Sequence, residues 1–77
     1  MNRTEFNYVI ERHYGTVSVN NDYSKELCWI KWKDGEPKLD FRMWKNFSDE
    51  GKRLPLKGIS LDMSEVETLK ELLNNAF

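Results

Sequence analysis

The sequence predicts an α+β domain in which antiparallel strands precede a single C-terminal helix. Three observations predict it: an Asp34-Gly35 dipeptide between two segments rich in aromatic and β-branched residues, further strand-like segments on either side, and a capped amphipathic pattern at the end. With 77 residues the chain can build one small core. We therefore expect residues 1–77 to form a single domain.

Composition excludes several classes of protein. The single Cys28 cannot form an intrachain disulfide, and one cysteine with one histidine cannot supply the four ligands of a structural zinc site. No apolar run approaches the ~18 residues of a membrane helix, and no signal pattern opens the chain. We expect a cytoplasmic protein with no membrane segment, metal or cofactor.

An enzyme is not expected, because the candidate catalytic residues are isolated. His13, Cys28 and the Asp49-Glu50 pair lie in different segments and do not form a set of nucleophile, base and orienting group. His13 is interpreted as a turn or surface residue and Cys28 as a small core residue.

The first strand is predicted where Phe6, Tyr8 and Ile10 recur with period two. The sequence around Gly15 breaks or bends that strand, and residues 16–19 resume β character. One bent strand and a tight hairpin are both compatible with this pattern. Residues 20–24, which are rich in Asn, Asp and Ser, predict a loop.

The central hairpin spans residues 27–44. An Asp-Gly dipeptide favours a two-residue type I′ turn, which places Lys33 opposite Glu36. Because side chains alternate along a strand, this register predicts one apolar face. That face contains Cys28, Ile30, Trp32, Pro37, Leu39 and Phe41.

The opposite face of this hairpin is predicted to be basic, with tryptophans at two corners. It contains Trp29, Lys31, Lys33, Glu36, Lys38, Asp40, Arg42 and Trp44. In this register Lys31 opposes Lys38, a like-charge pair that destabilises a sheet by roughly 0.2–1 kcal/mol. A polyanion would relieve the repulsion, and lysines beside exposed aromatic rings are typical of surfaces that bind single-stranded nucleic acid. The alternative is a solvated face whose tryptophans pack on neighbours.

The charge distribution is uneven along the chain. The formal net charge is −1, yet residues 25–57 have an excess of three positive charges and residues 58–77 an excess of three negative charges. A basic face can therefore coexist with an acidic total.

A polar loop at residues 46–53 precedes a short closing strand at residues 54–61, where Pro55 indicates an edge position. Asp62 then predicts a helix N-cap, and Glu65 completes a capping box. Leu61 and Val66 have the spacing of a hydrophobic staple.

The predicted helix has an apolar stripe formed by Val66, Leu69, Leu72, Leu73 and Ala76. Such a stripe covers the apolar face of a sheet or meets a partner helix. The stripe and the small core together favour a homodimer.

Two motifs then point to a family. Pro37, Lys38, Asp40, Arg42 and Trp44 spell P-K-x-D-x-R-x-W, and residues 57–61 spell K-G-I-S-L directly before the capped helix. In this order they resemble the positive cofactor four family of transcriptional coactivator domains, in its small bacterial YdbC-like branch. The resemblance covers about residues 25–73.

The resemblance implies a curved, four-stranded antiparallel sheet followed by a C-terminal helix, a homodimer, and binding of single-stranded DNA. By position, Arg42 and Lys57 match phosphate contacts, Lys31 and Lys38 match a basic ridge, and Trp32 and Trp44 match base-stacking residues. Trp32 is either a core or a DNA-facing residue. The predicted nucleic-acid-binding residues are Lys25, Trp29, Lys31, Trp32, Lys38, Arg42, Trp44, Arg53 and Lys57.

Two functions follow from these patterns. The first is sequence-tolerant binding of single-stranded DNA, with RNA as a further ligand, in transcription or in DNA replication and repair. The second is a protein-interaction adapter whose basic surface recognises an acidic partner of the transcription or repair machinery.

Overall fold

A computed structural model describes residues 7–48 and 51–77 of the chain. It contains four strands and one helix, which are β1 (Tyr8–Asn20), β2 (Tyr23–Trp32), β3 (Lys38–Asn46), β4 (Arg53–Leu61) and α1 (Met63–Ala76). The strands form one antiparallel sheet in the order β1-β2-β3-β4. The predicted α+β architecture with four strands and a C-terminal helix is confirmed. Phe6, Asp49 and Glu50 lie outside the described residues.

β1 is one long bent strand and not a hairpin. Its pairing with β2 shifts register three times, between Ile10 and Arg12, between His13 and Gly15, and between Thr16 and Ser18. Each bulge adds local twist and bends the strand. β1 therefore curls over the sheet, so that the Tyr8 ring lies 5.5 Å from the ring of Trp44 on β3, a strand that it does not pair with.

The loop between β1 and β2 is shorter than the predicted residues 20–24. Asn20 and Tyr23 pair with each other, which leaves only Asn21 and Asp22 to make the turn. Asn21 has a φ of 56°, a left-handed conformation that asparagine tolerates better than most residues. Ser24 belongs to β2 and is buried.

The predicted turn and register of the central hairpin are wrong. The positive φ, 48°, falls at Lys33, and the Gly35 amide donates to the Trp32 carbonyl at 2.8 Å. The Lys33 amide donates to the Asn7 carbonyl at 2.8 Å, not to the opposite strand. Pro37 has no N–H for the ladder. β3 therefore begins only at Lys38, which lies opposite Ile30.

This one-residue shift in the pairing of β2 with β3 turns each side chain of β3 to the face opposite the predicted one. One face, here called the core face, contains Ser24, Glu26, Cys28, Ile30 and Trp32 of β2 and Lys38, Asp40, Arg42, Trp44 and Asn46 of β3. The other, here called the open face, contains Tyr23, Lys25, Leu27, Trp29 and Lys31 of β2 and Leu39, Phe41, Met43 and Lys45 of β3. Lys31 does not oppose Lys38, so the predicted like-charge pair is absent from the described sheet.

The hydrophobic core lies under the curl of β1. Cys28, Ile30 and Trp44 have no exposed side-chain surface, and Tyr8, Ile10 and Trp32 pack around them. Cys28 is the small core residue that was predicted. Phe41, predicted for the core, is 36% exposed on the open face.

β4 is an edge strand, as Pro55 indicated, and it has a bulge. Arg42 pairs with Gly58 and Trp44 pairs with Pro55, so Leu56 and Lys57 both lie opposite Met43. At Gly58 an added Cβ would lie 1.9 Å from the Arg42 Cβ and 2.6 Å from the Phe41 carbonyl oxygen. Only glycine allows β4 to approach β3 this closely.

The helix begins as predicted. The Asp62 carboxylate accepts from the Glu65 amide at 2.9 Å, and the Glu65 carboxylate accepts from the Asp62 amide at 2.9 Å. Hydrogen bonds from the Glu65 amide and the Ser64 hydroxyl hold the pKa of the Asp62 carboxyl below its usual value. These bonds satisfy donors that the first helical turn leaves free.

The apolar stripe of α1 is not used in the core of the single chain. α1 contacts β3 and β4, yet none of its residues is buried, and Leu72 and Leu73 are 60% and 49% exposed. Among the described residues, no helix is long and apolar enough to cross a membrane.

We expect Gly58→Ala to lower the free energy of unfolding by at least ~1–3 kcal/mol, the usual cost of overpacking, because the new methyl group meets backbone and Cβ atoms of β3. Chemical denaturation measures this change. Gly15→Ala is the matched control, since a Cβ there meets nothing within 4 Å. Equal stability of the two variants would contradict the close approach of β4 to β3.

Candidate nucleic-acid interface

The core face contains a buried carboxylate with donors from three strands. Asp40 is 1% exposed. It accepts from Arg42 Nε at 2.6 Å and Nη2 at 2.8 Å, from Ser60 Oγ at 2.7 Å and from Trp32 Nε1 at 3.2 Å. We call Asp40, Arg42, Ser60 and Trp32 the Asp40 network. Because a buried charge is costly unless it is paired and hydrogen-bonded, these donors hold β2, β3 and β4 in one register.

The Arg42 guanidinium is fully engaged within the protein. Its third nitrogen, Nη1, donates to the Leu56 carbonyl at 2.9 Å, and its central carbon lies 4.8 Å from the centre of the Trp32 ring. The Arg42 side chain is only 15% exposed. Arg42 therefore joins the two sequence motifs to each other, since Leu56 and Gly58 flank Lys57 of the second motif.

A second buried carboxylate belongs to Glu26, which is 6% exposed on the core face. Its Oε2 lies 2.6 Å from the Ser24 hydroxyl and 2.5 Å from Arg53 Nη2, and its Oε1 lies 3.2 Å from His13 Nε2. Burial by itself raises the pKa of the Glu26 carboxyl. Hydrogen bonds from Ser24 and Arg53, with the charges of Arg53 and His13, outweigh burial and hold that pKa below its usual value.

Trp44 lies beside this second carboxylate and is 0% exposed. Its ring contacts Tyr8 and has the Arg53 guanidinium 4.5 Å from its centre. The expectation that Trp44 offers an exposed stacking surface is wrong, because the corrected register turns it toward the core.

The open face of the sheet is basic and aromatic. Lys25 lies opposite Met43, and the β4 bulge brings Lys57 to the other side of Met43. Both lysines are exposed, and together they line a groove with Phe41, Met43 and Ile59. Within the fully described strands β2, β3 and β4, the two acidic residues, Glu26 and Asp40, both face the core.

The predicted site residues therefore divide between the two faces. Lys25, Trp29, Lys31 and Lys57 lie on the open face, with Trp29 and Lys31 partly buried toward the hairpin end. Trp32, Lys38, Arg42, Trp44 and Arg53 lie on the core face. Lys38 is the exposed member of this second group. Trp32, for which a core position and a DNA-facing position were both open, is partly buried on the core face and donates a hydrogen bond to Asp40.

Sequence reasoning missed three residues of the open face, Tyr23, Phe41 and Lys45, and also Phe47 just beyond the end of β3. Tyr23, Phe41 and Phe47 are 38%, 36% and 42% exposed, and Lys45 Nζ lies 5.5 Å from the rings of both Tyr23 and Phe47. Tyr23 and Lys25 lie on the same face of β2 as Trp29 and Lys31, because side chains two apart along a strand share a face. This alternation is the sequence signal that could have identified Tyr23.

Lysines beside exposed aromatic rings are typical of surfaces that bind single-stranded nucleic acid. Residues 19–72 match the family model described as Transcriptional Coactivator p15 (PC4). The chain belongs to this family, which is known for binding single-stranded DNA. The resemblance found in the two motifs is thereby confirmed at the level of the family.

One curated relative is an uncharacterised protein of Treponema pallidum (strain Nichols). It is 36% identical to this chain over 72 residues, which span 92% of this chain and 80% of the relative.

We expect Arg42→Ala to lower the free energy of unfolding by ~3–5 kcal/mol, because it leaves the Asp40 carboxylate buried without its main charge partner. Thermal and denaturant unfolding measure this loss. Lys38→Ala is the matched control on the same strand and face, since Lys38 is exposed. If both variants are equally stable, Asp40 does not depend on Arg42.

Proposed function

We propose that this protein binds single-stranded DNA with little sequence preference through the open face of its sheet, as a homodimer. One observation supports the choice of face above all. Lys25, Lys31, Lys45 and Lys57 share the open face with exposed aromatic rings, whereas the acidic residues of β2, β3 and β4 point into the core. β2, β3 and β4 therefore contribute four lysines and no carboxylate to this face, although the net charge of the chain is −1.

In this proposal the lysines bind phosphates and the aromatic rings stack on bases. Lys25 and Lys57 flank the groove over Met43, so a strand that crosses the groove meets a cation at either side. Phe41 and Tyr23 offer ring surface beside it. Stacking contributes about 1–3 kcal/mol per base and accepts any base, which accounts for low sequence preference.

Single strands are preferred over duplex in this arrangement, because a protein ring can stack only on a base that is already unpaired. Neither the phosphate contacts nor the stacking contacts distinguish ribose from deoxyribose. RNA of the same sequence is therefore expected to compete.

The dimer is proposed from the exposed apolar surface of α1 and of the neighbouring part of β4. Ile59 of β4 and Leu69, Leu72 and Leu73 of α1 are 55%, 37%, 60% and 49% exposed. Ile59, Leu69 and Leu72 line one groove between β4 and α1. Contiguous apolar surface of this kind marks an interaction site, and a second copy would bury the same groove on both chains.

For the DNA site, we expect Lys57→Ala to weaken binding of an unstructured oligonucleotide and to reduce the slope of log affinity against log salt by ~0.7, the value for one phosphate on a single strand. Phe41→Ala should weaken binding by about 1–3 kcal/mol without changing that slope. Fluorescence anisotropy at several salt concentrations measures both quantities. Lys70→Ala is the control, since Lys70 lies on α1 with a 65% exposed side chain.

The adapter function predicts a different result. A flat salt response, or equal affinity for single strands and duplex, would contradict the DNA site on the open face. An acidic protein partner that an excess of oligonucleotide fails to displace would favour the adapter instead.

For the dimer, we expect sedimentation to give about twice the 9.2 kDa chain mass, and Leu72→Glu to give the monomer mass. A charge at Leu72 would have to be buried in the interface. Asn74→Glu is the control, because it adds the same charge at a position about 200° around the helix from Leu72. A monomeric wild-type protein at micromolar concentration would contradict the dimer.

A further inference from the structure

Pairing of β1 with β2 brings three metal-ligating side chains together on the core face. His13 lies directly opposite Cys28, and Glu26 precedes Cys28 by two residues on the same side of β2. One ligand atom from each of the three residues lies within 4.8 Å of the other two.

One oxygen of the Glu26 carboxylate in this cluster lacks a hydrogen bond. Ser24 and Arg53 hold Oε2, at 2.6 Å and 2.5 Å. Oε1 is buried and has no hydrogen-bond partner among the described residues, although His13 Nε2 lies 3.2 Å away. A buried acceptor without a donor destabilises the fold. Ser24 and Arg53 thus orient the carboxylate as outer-shell partners orient a metal ligand, with its free oxygen toward His13.

We propose that His13, Glu26 and Cys28 bind one zinc-class divalent cation. Imidazole, carboxylate and thiolate are all zinc ligands, and in tetrahedral zinc sites neighbouring ligand atoms are about 3.3–3.7 Å apart. The cluster therefore closes around the ion with a shift of at most about 1.5 Å. His13 can provide that shift, since its side chain is 45% exposed and lies in the bulged part of β1.

Three protein ligands leave the fourth position of the ion to water on the exposed His13 side. This differs from a closed structural site, which needs four protein ligands and which one histidine and one cysteine cannot complete. On binding, the Cys28 S–H bond breaks, the sulfur lone pair binds the cation, and the proton passes to solvent. Burial and the nearby Glu26 carboxylate raise the pKa of the Cys28 thiol, so the ion displaces a proton that the free protein keeps.

The bound ion would join β1 to β2 across the core and give a positive ligand partner to the Glu26 oxygen that lacks a hydrogen bond. Metal binding of this kind stabilises a small domain by an amount that grows with the logarithm of the free ion concentration once that concentration exceeds Kd. The cluster faces the core and the DNA site is proposed on the open face, so the two proposals can fail independently.

Cobalt(II) titration of the full chain, first freed of metal with a chelator, tests the site. The chain has one cysteine and one histidine, so a thiolate-to-cobalt charge-transfer band reports on Cys28 alone. We expect this band to saturate at one ion per chain, and zinc to abolish it by competition. His13→Asn should weaken cobalt binding at least tenfold, and Cys28→Ser should remove the band.

Glu11→Gln is the matched control, because Glu11 is an exposed acidic residue that lies on β1 with His13 but outside the cluster. We expect Glu11→Gln to bind cobalt like the wild type. His13 is exposed, so His13→Asn remains informative even if Cys28→Ser fails to fold. Absence of the charge-transfer band in the wild type, or an unchanged band in His13→Asn, would overturn the proposal and leave a His13–Glu26 ion pair above a core cysteine. The affinity of metal-free wild type for single-stranded DNA tests the other proposal separately.

Discussion

The Asp40 carboxylate is the constraint on which the sheet depends. A carboxylate that is 1% exposed must be paired, and it receives donors from Trp32, Arg42 and Ser60 on three different strands. Those donors reach Asp40 in only one register of β2, β3 and β4. A change of one residue in that register would remove the bonds from Trp32 and Ser60 and leave Arg42, on the same strand as Asp40, as the remaining donor.

The Asp40 network also determines the shape of β4. Arg42 donates to the Leu56 carbonyl, and Gly58 admits the Arg42 Cβ where any side chain would collide with it. These contacts accompany the bulge that sets Lys57 beside Met43 on the open face. The lysine that the DNA proposal relies on is therefore positioned by a buried ion pair on the opposite face of the sheet.

The small core explains why so much apolar surface remains exposed. Among the described residues, Cys28, Ile30 and Trp44 are the fully buried apolar side chains, and α1 contributes none. A domain of this size gains little from one core. Polar networks, a second copy of the chain and a bound cation at His13 are three ways to add stability.

The sequence alone determined the local elements. The capping box of Asp62 and Glu65 depends on interactions within a few residues, so pattern and propensity suffice to predict it. Near Gly15 the sequence left a bent strand and a hairpin both open, and pairing with β2 decided for the bent strand. The family could also be predicted from the sequence, because each of its two motifs is a short continuous stretch.

The register of the hairpin could not be predicted from the sequence. It was decided by the Lys33 amide bonding to Asn7 and by Asp40 accepting from Trp32 and Ser60, contacts that form only when separate strands meet. Because side chains alternate with period two, this one-residue difference in register places Trp44 and Arg42 on the core face and Phe41 on the open face. It therefore decides which face is free to bind a ligand.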